Sequence, residues 1–254
     1  MFCISLQSGS NGNCIYVEAD GVRLIFDAGI GAREADRRLR EHGATLDGAD
    51  ALILSHNHWD HVSSAGPFHR RFGVPLCMTR ETFGALDGRL GRTAPVACFL
   101  QGQPLRFGDV TVRTIPTPHD GVGGVAFVVE HAGLRLGILT DLGHVFPALE
   151  DVLPTLDAAI IESNYDPDML ERGPYPRDVK TRIAGPGGHI SNGESAALLR
   201  RRVGGRLQWA CLAHLSANNN TPELALSTHL DVLGERLKLH VASRHAATGP
   251  MRVE

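Results

Sequence analysis

The sequence predicts a mixed α/β domain, and three observations carry that reading. Short apolar runs recur along the chain, segments of helical periodicity lie between them, and Asp20-Gly21 and Ala132-Gly133 punctuate paired runs as hairpin turns. With 254 residues, 43% hydrophobic and 21% charged, the chain can bury a substantial core. No internal repeat, low-complexity tract or linker divides it, so residues 1–254 read as one domain with a loose tail over 245–254.

Phe2 to Gln7, Cys14 to Glu18 and Val22 to Asp27 read as an opening β-meander, with Ser8 to Asn13 as a turn. Gly31 to His42 is helix-like, placing Ala35 and Leu39 on one face and arginines on the others. Val62 to Phe72 and Arg80 to Leu86 read as short helices around the strand Pro75 to Met78. Further strands are expected at 96–100, 105–107, 110–115, 125–131, 134–140 and 158–162, with a short helix over 146–153. Two later helices carry start signals. Ser191-Asn-Gly-Glu194 matches a capping box opening a helix to about Val203, with Leu198 and Leu199 inward and Arg200 to Arg202 mostly outward. Thr221-Pro222 places an N-cap before a proline at the first helical position, for a helix to about Leu237.

A formal charge of −3 and a pI near 6.5 argue against nucleic-acid binding through overall basicity, so any basic surface must be regional. The five cysteines are scattered and include no Cys-x-x-Cys pair, which fits buried thiols in a reducing compartment. The N-terminus carries no basic segment followed by a long apolar one, and no apolar run approaches membrane length. A cytoplasmic protein with no membrane partner is expected. Nothing in the sequence sets an oligomeric state.

The chemistry concentrates in Ser55-His56-Asn57-His58-Trp59-Asp60-His61, directly after the apolar run Ala51 to Leu54. A strand ending at Ser55 would hold the histidines on the turn at its C-terminal end, where a rigid sheet aims side chains into a cleft. Neutral imidazole and carboxylate suit zinc or manganese, and the alternation can divide ligands between two ions, His56 with His58 and Asp60 with His61. Trp59, inside this loop, is expected to pack rather than to meet substrate.

His-x-His-x-Asp-His after a strand resembles the signature of the metallo-β-lactamase superfamily, and the resemblance extends over about residues 2 to 215. It implies an αββα sandwich, two sheets with helices on both outer faces, and further ligands supplied singly downstream. His119 in Pro116-Thr-Pro-His-Asp120 would complete a first site with His56 and His58. Asp141, after Ile138-Leu-Thr140, would bridge two ions, and His214, after Cys211-Leu-Ala213, would join Asp60 and His61 in the second site. Two zinc ions, or zinc with manganese, are the implied cofactors.

Gly187-Gly-His189-Ile-Ser191 and Ala213-His-Leu-Ser-Ala-Asn-Asn-Asn-Thr-Pro222 look like the nuclease side of the superfamily, most closely the YycJ/WalJ-type exonuclease branch. In the related ribonuclease Z group a histidine at the position of His189 pairs with a glutamate at the position of Glu162 and moves a proton. Here Ser163 follows Glu162 where that group usually has alanine. Asp60, His189 and Glu162 are thus read as catalytic residues, against a plainer reading of His189 as a helix-entry residue. Arg172, Arg177, Lys180 and Arg182 crowd a Pro/Gly-containing stretch just before His189, and the last three are candidate phosphate contacts rather than a solvated face. His144 lies near the implied mouth of the site without a role, and His42, His69, His131, His229, His240 and His245 read as surface residues. The expected activity is hydrolysis of a phosphodiester in DNA, RNA or a small molecule through a metal-bridging hydroxide. Alternatives are a glyoxalase-II-like thioester hydrolase and a non-catalytic metal-binding protein on the same fold.

Overall fold

The computed structural model describes every residue except 87, 93 and 94. Among the described residues the strands form two seven-stranded sheets. The first contains β1 (Phe2–Gln7), β2 (Cys14–Ala19), β3 (Val22–Phe26), β4 (Ala51–Ile53), β5 (Leu76–Thr79) and β6 (Ala97–Phe99), paired in that order. The second runs β7 (Leu105–Phe107), β8 (Val110–Pro116), β9 (Val125–His131), β10 (Leu134–Leu139), β11 (Ala158–Glu162), β12 (Trp209–Ala213) and β13 (Lys238–Val241). The chain then returns to the first sheet, where β14 (Met251–Arg252) pairs antiparallel with β1.

Period-2 alternation splits each strand between two apolar layers. Leu24 and Phe26 face the space between the sheets with Ile53, Phe127, Ile138, Ile160 and Cys211, whereas Ile25 points to the outer face of the first sheet. Phe26 and Phe127 meet across the inter-sheet layer with ring centroids 5.0 Å apart. The outer face of the first sheet packs on α1 (Ala32–Arg40) and, beyond the one-turn α2 (Trp59–Val62), on α3 (Ala65–Phe72), through Leu39, Phe68 and Leu52. α4 (Arg80–Ala85) follows β5 and starts from a Thr79 side-chain cap. On the second sheet, α5 (Pro147–Val152), α8 (Asn192–Arg200) and α9 (Pro222–Leu233) cover Val128, Leu139, Ile161 and Leu212. Three apolar layers in four structural ones make the expected αββα sandwich. Central strands covered on both faces explain why they read as continuous apolar runs.

Several expectations need correction. Residues 245–254 are not a loose tail: Thr248 exchanges hydrogen bonds with Ser5 at 2.9 and 3.0 Å, and Met251 and Val253 are buried in the inter-sheet layer. The basic stretch before His189, to which the sequence assigns no element, forms α6 (Pro167–Arg172) and α7 (Arg177–Ile183). α6 is opened by the Asp166 carboxylate, which accepts from the Met169 amide at 2.9 Å. α8 has the expected capping box but ends at Arg200, and α9 ends at Leu233 because Gly234 takes a positive φ of 60°. His229 is fully buried, bonded to the Ala225 carbonyl and Ser195, not on the surface. Four cysteines are buried as expected, while Cys98 on the edge strand β6 is exposed.

Candidate metal centre

The seven expected metal ligands and Glu162 leave the C-terminal ends of strands, while His189 comes from the turn before α8 (Asn192–Arg200). β4 leads into His56 to His61, β8 into His119, β10 into Asp141, β11 ends on Glu162, and β12 leads into His214. Both sheets therefore deliver side chains to one edge of the sandwich. Two backbone features hold the loops there. Asp141 and His214 take left-handed φ values of 56°, a conformation that costs a non-glycine residue about 1–3 kcal/mol and persists only where the surroundings enforce it. A Cβ at Gly121 would lie 2.2 Å from the His56 ring, and one at Gly188 would lie 2.1 Å from the Ile183 carbonyl. Glycine is what lets the β8 loop close on His56 and the turn before α8 close on α7.

The side chains form overlapping clusters: His56, His58 and His119; Asp60, His61 and His214; and His56, His61 and Asp141, each with ligand atoms within 4.8 Å of one another. A fourth contains Asp141, Glu162, His189 and His214. Asp141 sits between the first two, with carboxylate oxygens 3.3 Å from His61 Nε2, 3.7 Å from His119 Nε2 and 3.5 Å from His214 Nε2. Its Oδ2 and the Nε2 of His56 are buried without a hydrogen-bond partner among the described residues. Burying polar atoms unpaired is costly, and cations between the clusters would satisfy both. The donor set, imidazole nitrogens and carboxylates, fits zinc or manganese.

The imidazoles are already aimed. His61 Nδ1 donates to Asp27 Oδ2 at 2.7 Å and His119 Nδ1 to the Gly188 carbonyl at 2.7 Å, leaving each Nε2 as the ligand atom. His56 Nδ1 lies 2.9 Å from Ser55 Oγ, which donates to Asp27 Oδ2 at 2.9 Å. Asn13 Nδ2 reaches Asp60 Oδ2 at 3.1 Å, and Asn164 Nδ2 donates to the His214 carbonyl at 2.7 Å. Burial lowers the pKa of His56 and His58, with help from neighbouring imidazoles, which keeps them in the neutral form a cation needs. Burial acts the same way on His61, but the Asp141, Asp27 and Asp60 carboxylates outweigh it and raise that pKa. Carboxylates that hold a proton on an imidazole in this way would hold a cation in its place.

Beside this group, His189 Nδ1 donates to Glu162 Oε1 at 2.6 Å, while Glu162 Oε2 accepts from the Leu142 and Ile190 amides. Glu162 is fully buried, yet the His189 imidazole and its hydrogen bond overcome the burial and draw the carboxyl down to about 2. The partners expected from the sequence are thus in contact. A cavity of about 240 Å³ opens over His58, Asp60, Asp141, His189 and His214.

The basic residues divide. Arg182 lines that cavity, its guanidinium held by Asp120 at 2.6 and 3.0 Å. Arg177 and Lys180 instead line a separate hollow of about 730 Å³ between α6 and α7, where Lys180 bonds the Glu171 carbonyl. Trp59 does not pack, being 63% exposed beside the ligands. His144 is exposed, its Nδ1 bonded to the Pro186 carbonyl at 2.8 Å. Sequence reasoning missed Asp27, Asn13 and Asn164. Asp27 gave a signal, since it ends the apolar run of β3 as Asp141 follows that of β10, and it too has a left-handed φ, of 62°.

This fold and this edge of ligands define a metal-dependent hydrolase of the metallo-β-lactamase superfamily, to which the chain belongs: residues 8–214 match the family's model. Among its relatives are exodeoxyribonuclease YycJ of Bacillus anthracis, 29% identical over 233 residues covering 91% of this chain and 88% of that one, and exodeoxyribonuclease WalJ of Streptococcus pneumoniae, 30% identical over 234 residues covering 91% and 87%. The metallo-β-lactamase fold protein YhfI from Bacillus subtilis has a similar structure, with a TM-score of 0.75 over 97% of this chain and 98% of that one at 16% identity.

Proposed function

We propose that this protein is a dinuclear metal-dependent phosphodiesterase that cuts nucleic acid, with DNA favoured by the names of its relatives. The observation that carries the reading is the His189–Glu162 pair set against a complete set of seven ligand side chains. His56, His58 and His119 would hold one zinc or manganese ion, Asp60, His61 and His214 the other, and Asp141 would lie between them. Two divalent cations, when bound, supply Lewis acidity and bring the pKa of water towards ~7. Asp60 is placed by Asn13, and its charge helps balance the two cations.

His189 is the proton donor in this reading. Its Nδ1 is committed to Glu162, so Nε2 is left to protonate a departing oxygen, and the buried carboxylate fixes the ring. A thioester substrate would have less use for that pair, because a thiolate leaves without protonation more readily than an alkoxide. Arg182 is the closest of the three proposed phosphate contacts to the ligands, with Arg177 and Lys180 farther along the substrate path. The buried, unpaired thiols support a reducing compartment, the cytoplasm. No described helix is long and apolar enough to cross a membrane.

The test is to load the protein with zinc or manganese and offer bis-p-nitrophenyl phosphate, S-lactoylglutathione, and labelled DNA and RNA. Turnover of the phosphodiesters with the thioester left intact is expected. The reverse would replace this function with thioester hydrolysis.

A further inference from the structure

We infer that Arg244 is a second anchor for the substrate strand, taking a backbone phosphate next to the scissile one on the side of the site that carries Ser10 and Ser216. This rests on the nuclease reading above. The turn Ser8–Asn13 and the segment after His214 form that side, and Ser10 and Ser216 line the cavity over the ligands. Arg244 reaches this rim from the segment between β13 and β14. Its Nη1 donates to Ser10 Oγ at 3.3 Å and to the Leu215 carbonyl at 3.5 Å. Its own carbonyl accepts from Asn11 Nδ2 at 2.8 Å, and the Ser8 amide donates to the Ser243 carbonyl at 3.0 Å, so the arginine stands in a fixed frame.

Charge bookkeeping separates this residue from the basic stretch before His189. Arg182 already has Asp120, whereas Arg244 has no carboxylate partner, and its Nε and Nη2 make no hydrogen bond, among the described residues. A guanidinium carries five N–H donors in a planar fork that matches phosphate oxygens. The Nε and Nη2 of Arg244 are not sealed from solvent, so both are open to an incoming phosphate. Beside Arg244 lies a cavity of about 320 Å³ that shares Ser216 with the cavity over the ligands. Its walls mix apolar side chains, Leu215, Ala217, Pro222 and Val241, with Arg244 and His245. Apolar walls with a cation at the edge suit a nucleoside whose phosphate rests on the guanidinium, and the volume is at the lower end of the roughly 300–1,000 Å³ typical of ligand pockets. A polynucleotide would then run from the cations across Ser216 into this cavity.

The experiment compares wild type, Arg244→Ala, Arg244→Lys and, as a remote charge control, Arg113→Ala on β8, all metal-loaded, with a labelled single-stranded oligonucleotide. Arg244→Ala should raise KM about tenfold with kcat little changed, the loss of one charge-assisted contact. The slope of log affinity against log salt should shrink by about 0.7, one phosphate contact fewer on a single strand. Arg244→Lys should recover the salt slope, and Arg113→Ala should match wild type. An unchanged KM and slope in Arg244→Ala would remove the anchor while leaving the nuclease reading standing. Loss of metal or a lowered melting temperature in both Arg244 variants would make the residue a structural brace, which also overturns the proposal. If wild type cut no oligonucleotide, the nuclease reading itself would fail first.

Discussion

At the scale of the residue, the carboxylates behind the ligands matter as much as the ligands. Asp27 accepts from His61 Nδ1 and from both the amide and hydroxyl of Ser55, so one side chain sets the orientation of two adjoining parts of the site. Asp27→Asn keeps a residue that tolerates the left-handed backbone but removes the charge and one acceptor oxygen. Metal affinity should fall about 10–100-fold, as it does when such supporting groups are lost, and competition titration with a chromogenic chelator would show it. Affinity equal to wild type would mean the His61 ring is held by packing alone. His189 makes a different prediction, because it is proposed to act on the substrate. His189→Ala should retain both metals yet slow about 10²–10⁴-fold on an oligonucleotide, whose leaving oxygen needs a proton, while p-nitrophenolate release suffers far less. Glu162→Gln should reproduce that pattern more mildly. Metal loss, or equal slowing on both substrates, would make His189 a ligand or a structural residue instead.

At the scale of the element, the sequence exposed what local rules dictate and hid what distant partners decide. It took the family resemblance to single out His119, Asp141 and His214 as ligands, but the strand ends that carry them were legible as apolar runs closed by a polar side chain, a local pattern. The α8 capping box was legible for the same reason, since Ser191 and Glu194 satisfy each other within one turn. Helices α6 and α7 were not: Gly173, Pro174 and Pro176 break any helical period across the stretch, so the sequence assigns no element there, yet they only punctuate two short helices. Pro176 stands at the N-cap of α7, where its missing N–H costs nothing. Strand β14 was hidden because Met251-Arg252 has no pattern of its own and becomes a strand only on the edge of β1. That pairing is testable. Deleting residues 250–254 exposes the β1 edge and removes buried Met251 and Val253, so stability should fall by about 3 kcal/mol on side-chain burial alone. A domain of this size should then melt roughly 6–12 °C lower. A truncated protein melting with the full chain would show that β14 adds nothing to the sandwich.

At the scale of the whole molecule, the site joins the two sheets. His56, His58, Asp60 and His61 follow a strand of the first sheet, whereas His119, Asp141 and His214 follow strands of the second. Cations bound between them would tie together halves otherwise joined by the inter-sheet apolar layer and by β14. That layer, with Phe26 and Phe127 at its centre, does not depend on metal, so the metal-free chain should keep its secondary structure. Its stability should still respond to loading. A ligand that binds only the folded state adds about 2.7 kcal/mol at a free concentration 100 times its Kd, which for this size is roughly 5–11 °C in melting temperature. Adding zinc or manganese to chelator-treated protein should therefore raise the melting temperature in a concentration-dependent way, with a break near two ions per chain and a slower logarithmic rise beyond it. Asp141→Ala should weaken the second equivalent most, because its carboxylate lies against imidazoles of both clusters. Identical melting curves with chelator and with excess metal would sink the two-ion assignment, and an Asp141→Ala protein that loads both ions as tightly as wild type would show that this carboxylate does not span the pair.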